Sequence, residues 1–179
     1  MKCKLNARFL PLLAIAAIAI ACGNARSYQG DGKLIDDASS AATDRYILDL
    51  GPLIFAKKSS AQFHLSELPR ENFVPGIELA DMSRGGMEVD KTAVSATVLI
   101  TIVDEQGKEI VQVAGPLSTW TWSVSRGSNV AFVYGGYGPK AFFEPKPNER
   151  YIMQVAVTDP NPSTQDISAR ILLKSGGWK

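Results

Sequence analysis

The stretch TAVSATVLITIV, residues 92–103, decides the fold class. Val94, Ala96, Val98, Ile100 and Ile102 fall on one side of an extended chain. Ser95, Thr97 and Thr101 fall on the other, with Leu99 and Val103 the exceptions. A two-residue period with one apolar and one mostly polar face marks an antiparallel strand laid over a core. Asp104-Glu105-Gln106-Gly107-Lys108 then supplies a turn, and residues 109–114 return as a hairpin partner.

Outward from this hairpin the same alternation predicts strands at 46–50, 61–66, 119–124, 130–134, 140–144, 151–158 and 167–174, with a short one at 77–80. Gly, Pro and Asn clusters punctuate them about every ten residues, and no long stretch recurs at helical spacing. The fold class expected is all-β: an antiparallel β-sandwich of about eight or nine strands, immunoglobulin-like or C2-like. Within residues 147–157, Tyr151 opens a strand just after a turn, and Tyr151, Met153, Val155 and Val157 share a face. This resembles the tyrosine corner of immunoglobulin-like domains, in which the hydroxyl ties back to nearby backbone. The sandwich is placed at residues 45–179.

The N-terminus is written differently. Residues 1–21 carry Lys2, Lys4 and Arg8 and no acid, and residues 9–21 form an apolar run. Thirteen residues are too few to cross a hydrocarbon core, which needs roughly 20, but they fit the apolar segment of a secretory signal. The run ends Ala19-Ile20-Ala21-Cys22. This resembles the lipobox of bacterial lipoproteins, with Ala19 where such boxes more often carry Leu. The resemblance implies cleavage before Cys22, a diacylglycerol on its sulfur and an acyl group such as palmitate on its new amino group. Cys3 leaves with the signal, so the exported domain has no disulfide and stands on its core alone. The absence of Asp at position 23 points to the outer membrane, with the domain facing the periplasm and the lipid as its contact with the membrane. Residues 22–44, small, polar and acidic around the single pair Leu34-Ile35, read as a flexible tether.

Without residues 1–21 the chain has a net charge of about −2 and no basic stripe, which excludes a nucleic-acid partner. Signs of catalysis are equally sparse. His64 is the one histidine; Phe63 and Leu65 point inward by alternation, so His64 faces solvent or a groove. No Gly-x-Ser-x-Gly elbow accompanies it, and one His with no cysteine after position 22 does not make a zinc site. The glycines of Gly135-Gly136-Tyr137-Gly138 lie between strands rather than opening a helix, so they lack the context of a phosphate loop. Asp159 to Asp166 places oxygens at alternate positions as a calcium loop does. Thr164 stands where Gly is needed, however, and Arg170 where the bidentate Glu belongs. The expectation is a chain that is not an enzyme and has no cofactor, metal or small-molecule substrate.

Binding is left. Trp120 and Trp122 share one strand face; exposed, they would stack on sugars, but the polar opposite face of Thr119, Thr121 and Ser123 argues that the indoles point into the core. The loop spanning 66–92 is long enough to be functional, and it contains Arg84 and Met87 in a Gly-rich run. Tyr134 and Tyr137 flank the glycines of a second loop as amphipathic anchors. Lipobox, tether and cysteine-free sandwich together resemble small bacterial lipoproteins of uncharacterised function, some of which are periplasmic immunity partners of secreted antibacterial effectors such as phospholipases. That resemblance implies a lipid-anchored, non-catalytic protein-binding module. The alternative is a module that binds glycan or another envelope polymer through Trp120 and Trp122.

Overall fold

The structure, a computed structural model, describes residues 28–36, 46–81, 94–124, 129–133, 141–162 and 167–175. Cys22, Arg84, Met87, Tyr134 and Tyr137 lie outside the described residues. Eleven strands are present among the described residues: β1 Gln29–Gly30, β2 Lys33–Asp36, β3 Tyr46–Leu53, β4 Ser59–Ser66, β5 Phe73–Leu79, β6 Thr97–Asp104, β7 Glu109–Pro116, β8 Thr121–Val124, β9 Val130–Val133, β10 Arg150–Asp159 and β11 Ala169–Ser175.

They form two antiparallel sheets. The first has the order β1-β4-β10-β6-β7 and the second β2-β3-β11-β5-β9-β8. The antiparallel sandwich expected from the alternation is what forms. Its central strands, β3-β11-β5-β9 over β4-β10-β6-β7, follow the interleaved double Greek key of a jelly roll. Strand order was not contained in the period-two pattern.

The core between the sheets contains every residue that residues 92–103 assigned to it: Val94, Ala96, Val98, Ile100 and Ile102 are all fully buried. Facing residues include Tyr151, Met153, Val155 and Val157 from β10 and Leu48, Phe73, Ile77, Phe132, Ile171 and Leu173 from the second sheet. The tyrosine corner is present. Tyr151 Oη accepts the Lys146 N–H at 2.9 Å and donates to Glu149 Oε2 at 2.7 Å. The ring packs edge-on against Phe143, with centroids 5.1 Å apart.

Three expectations are corrected. Residues 22–44 are not a tether throughout, because 28–36 form β1 and β2. Leu34 packs against the core, and backbone pairing rather than apolar content orders the segment. The strand expected at 140–144 is absent from its described part. The backbone of residues 141–149 pairs with the second sheet at the bridge Phe73–Phe143, and Pro145 and Pro147 have no N–H to extend it. The strand expected near 77–80 is longer, because Pro75 and Gly76 lie inside it rather than ending it. Pro75 sits one residue before the stretch that pairs with β9, so its missing N–H breaks no rung of that ladder. At Gly76 the β9 backbone comes so close that a Cβ would stand 3.0 Å from the Phe132 carbonyl oxygen.

Candidate functional site

The two outer faces of the sandwich differ. On the second sheet the outward side chains Ile47, Val74, Leu172 and Val133 are buried although they do not belong to the core cluster. On the first sheet the outward side chains are exposed or half-buried. This second set forms the candidate site.

Strand register arranges it in rows. Gln154 on β10 lies opposite Gln62 on β4 and Thr101 on β6, and Thr101 lies opposite Gln112 on β7. An amide and hydroxyl row therefore crosses all four central strands, with Gln154 Nε2 donating to Gln62 Oε1 at 3.3 Å. A row of small and aliphatic groups runs beside it: Ser60, Ala156, Leu99 and Ala114. On the other side His64, Ile152 and Val103 form a third row, which ends on β7 at the half-buried Glu109. Glu109 apart, none of these side chains is Asp, Glu, Lys or Arg. The charges lie at the ends of the sheet, where Arg150 Nε stands 3.9 Å from Glu105 Oε1.

The face is shallow. An open depression of about 470 Å³ lies over Ser60, Gln62, Leu99, Thr101, Gln154 and Ala156. A second, of about 450 Å³, adjoins it over His64, Ser66, Glu105, Arg150 and Ile152. His64 is exposed, as alternation requires, and its backbone is held by the N-terminal segment. Asp31 Oδ2 accepts the His64 N–H at 2.7 Å, and the Asp31 N–H donates to the His64 carbonyl at 2.8 Å. Tyr28 Oη donates to the Asp31 carbonyl at 2.5 Å. Burial first, and the nearby Asp31 charge second, push the Tyr28 phenol well above its ordinary range. Among the described residues, no three His, Cys, Asp or Glu side chains come together as a metal site requires.

The tryptophans are not a platform. Trp120 precedes β8 instead of lying in it: Leu117–Thr119 form one 3-10 turn after Pro116, and Trp120 follows as its cap. Its ring is 1 % exposed, and Trp122 is half-buried against the same core. The indoles pack on the core, as the polar opposite face implied, and not as the sugar platform of the alternative; the chain crosses between sheets here, and Trp120 fills the crossing.

The row of Gln62, Gln154, Thr101 and Gln112 escaped the sequence reading. Alternation marks each as outward and polar, but their alignment exists only once β10 is known to lie between β4 and β6. No protein-family model matches the chain, and no curated protein matches it in sequence.

Proposed function

We propose that the protein is a lipid-anchored, non-catalytic protein-binding module that docks its partner on the outer face of the first sheet. The observation that carries this reading is the absence of Asp, Glu, Lys and Arg from the two adjacent rows that cross all four central strands, Ser60-Ala156-Leu99-Ala114 and Gln62-Gln154-Thr101-Gln112. Depletion of charge, with apolar groups interleaved among neutral hydrogen-bonding groups, is the composition of an interface centre rather than of ordinary solvated surface. Leu99, Ile152 and Val103 supply area to desolvate, and the amides and Thr101 supply neutral donors and acceptors. In its most concrete form the partner is a secreted antibacterial effector, which the protein neutralises in the periplasm at the outer membrane. Anchoring through Cys22 supports that role by concentrating the domain where such an effector arrives.

The test is affinity capture from the cell envelope and secreted proteins, comparing wild type with Gln154→Arg and Thr101→Lys. The expected result is one secreted lipase or nuclease held stoichiometrically by wild type and lost in both variants at unchanged melting temperature. Equal capture by the variants moves the docking site off this face. Recovery of envelope glycan alone sinks the protein-binding reading.

A further inference from the structure

A β-sandwich has four sheet edges, and exposed edges invite pairing with other chains. Three of the edges here are blunted. The second sheet ends on β2 and β8, each of four residues. The first sheet ends at one side on β1, of two residues, with Asp31 satisfying both backbone groups of His64 beside it. The part of β4 left uncovered, 59–63, follows directly on Lys57 and Lys58. The fourth edge is β7, which is eight residues long and borders no further strand among the described residues. Residues 110–116 read IVQVAGP and contain no charge. β7 departs from a regular edge at its two ends, at the bulge where Val103 pairs with Glu109 and Ile102 with Val111, and at Gly115 (φ +148°) and Pro116, which leaves 110–114 as the regular open edge.

We infer that β7 is where two copies of this chain pair, antiparallel and about a two-fold axis through Gln112. Opposite residues of an antiparallel pair share a face, so a symmetric pair must be centred on a residue. Centred on Gln112, the register is self-complementary, as a two-fold interface requires. Gln112 meets its own copy on the outer face, Val111 meets Val113 on the core side and Ile110 meets Ala114. Glu109 falls opposite Gly115, so no like charges face one another. Pairing makes the two first sheets into one ten-stranded sheet and joins their two neutral faces into a continuous surface. The inference does not depend on what that surface binds.

The test uses the full chain in detergent. Sedimentation of the wild type reads a monomer–dimer equilibrium, and Gln112→Lys weakens the dimer more than about tenfold by setting two ammonium groups face to face. Gln112 is exposed, so the variant keeps the wild-type fold, and the two melting curves coincide at dilutions where the wild type is also monomeric. In a Cys3→Ser, Cys22→Ser background, Gln112→Cys cross-links on air oxidation. The paired Cα atoms would stand about 4.5–5.5 Å apart, inside the disulfide range. Ala114→Cys does not cross-link, because each Ala114 faces Ile110 of the other copy and the two 114 positions lie four residues out of register. A monomer at every concentration overturns the inference and leaves β7 to a strand of a different protein. A dimer indifferent to Gln112→Lys, or one cross-linked at 114 and not at 112, overturns it as well.

Discussion

The two open sides of the sandwich are closed in different ways. On one side residues 28–36 act as a strap, with β1 pairing to β4 in the first sheet and β2 to β3 in the second. The strap is held by backbone ladders and short polar contacts among Tyr28, Asp31 and His64. On the other side the chain passes from β7 to β8 through the turn Leu117–Thr119, and closure rests on the fully buried Leu117 and the nearly buried Trp120. One side uses directional bonds that water competes for; the other uses apolar area. The strap can therefore loosen locally, whereas the plug is part of the cooperative core.

Trp120→Ala is the largest expected break in that comparison. It empties the crossing between sheets and costs about 3–5 kcal/mol of unfolding free energy, the range for a buried aromatic cut to Ala, measured by urea denaturation.

Gly32→Ala tests the strap. Gly32 has φ of +86°, and a Cβ there would stand 2.5 Å from the Asp49 carbonyl oxygen, a backbone atom that has no room to yield. The expected loss is about 1–3 kcal/mol. Amide exchange should quicken in β2, β3 and at His64 while β6 and β7 keep their protection. Uniform loss of protection across both sheets would show that the strap is no separate unit.

The tyrosine corner anchors the strapped end, because Tyr151 pairs with Leu65 and Leu65 with Gly30. Tyr151→Phe removes two hydrogen bonds and lowers stability by about 1–2 kcal/mol. The corner also sets an alkaline limit. Burial above all, then the bond to Glu149, pushes the Tyr151 phenol up to about 12 from 10.0, and the Lys146 N–H opposes the rise only in part. Tyr28 is raised for similar reasons. A group whose folded pKa is raised favours the native state fully below its unfolded pKa and loses that contribution as pH rises through the folded value. Stability is therefore expected to hold to about pH 10 and to fall between 10 and 12. Tyr28→Phe should make part of that fall disappear in pH-dependent melting.

The smallest effect belongs to the half-exposed pair Arg170–Asp49, whose nearest approach is 2.7 Å. Despite two-pronged geometry, it spans the surface of β11 and β3, where water screens it. Arg170→Ala is expected to cost about 1 kcal/mol or less, read by the same denaturation curves.

These two sides also separate what was legible beforehand from what was not. Half of the plug could be read: Trp120 is a large apolar group beside the polar face of Thr119, Thr121 and Ser123, and its burial follows from that pattern. The strap could not. GDGKLID contains one apolar pair, and its order comes from two partner strands, β4 and β3, which lie far along the chain. The amide row of the candidate site was hidden for the same reason, since Gln62, Thr101, Gln112 and Gln154 come from four strands.

Alternation along each segment by itself determined most of the longer strands, their inward faces, the hairpin of β6 and β7 and the tyrosine corner, because a two-residue period is a local property of an extended chain. Tertiary structure alone decided that β10 lies between β4 and β6, that residues 28–36 close one side, and that β7 is the one long edge left over among the described residues. Those facts depend on which distant strands share hydrogen bonds, and no local pattern encodes a partner.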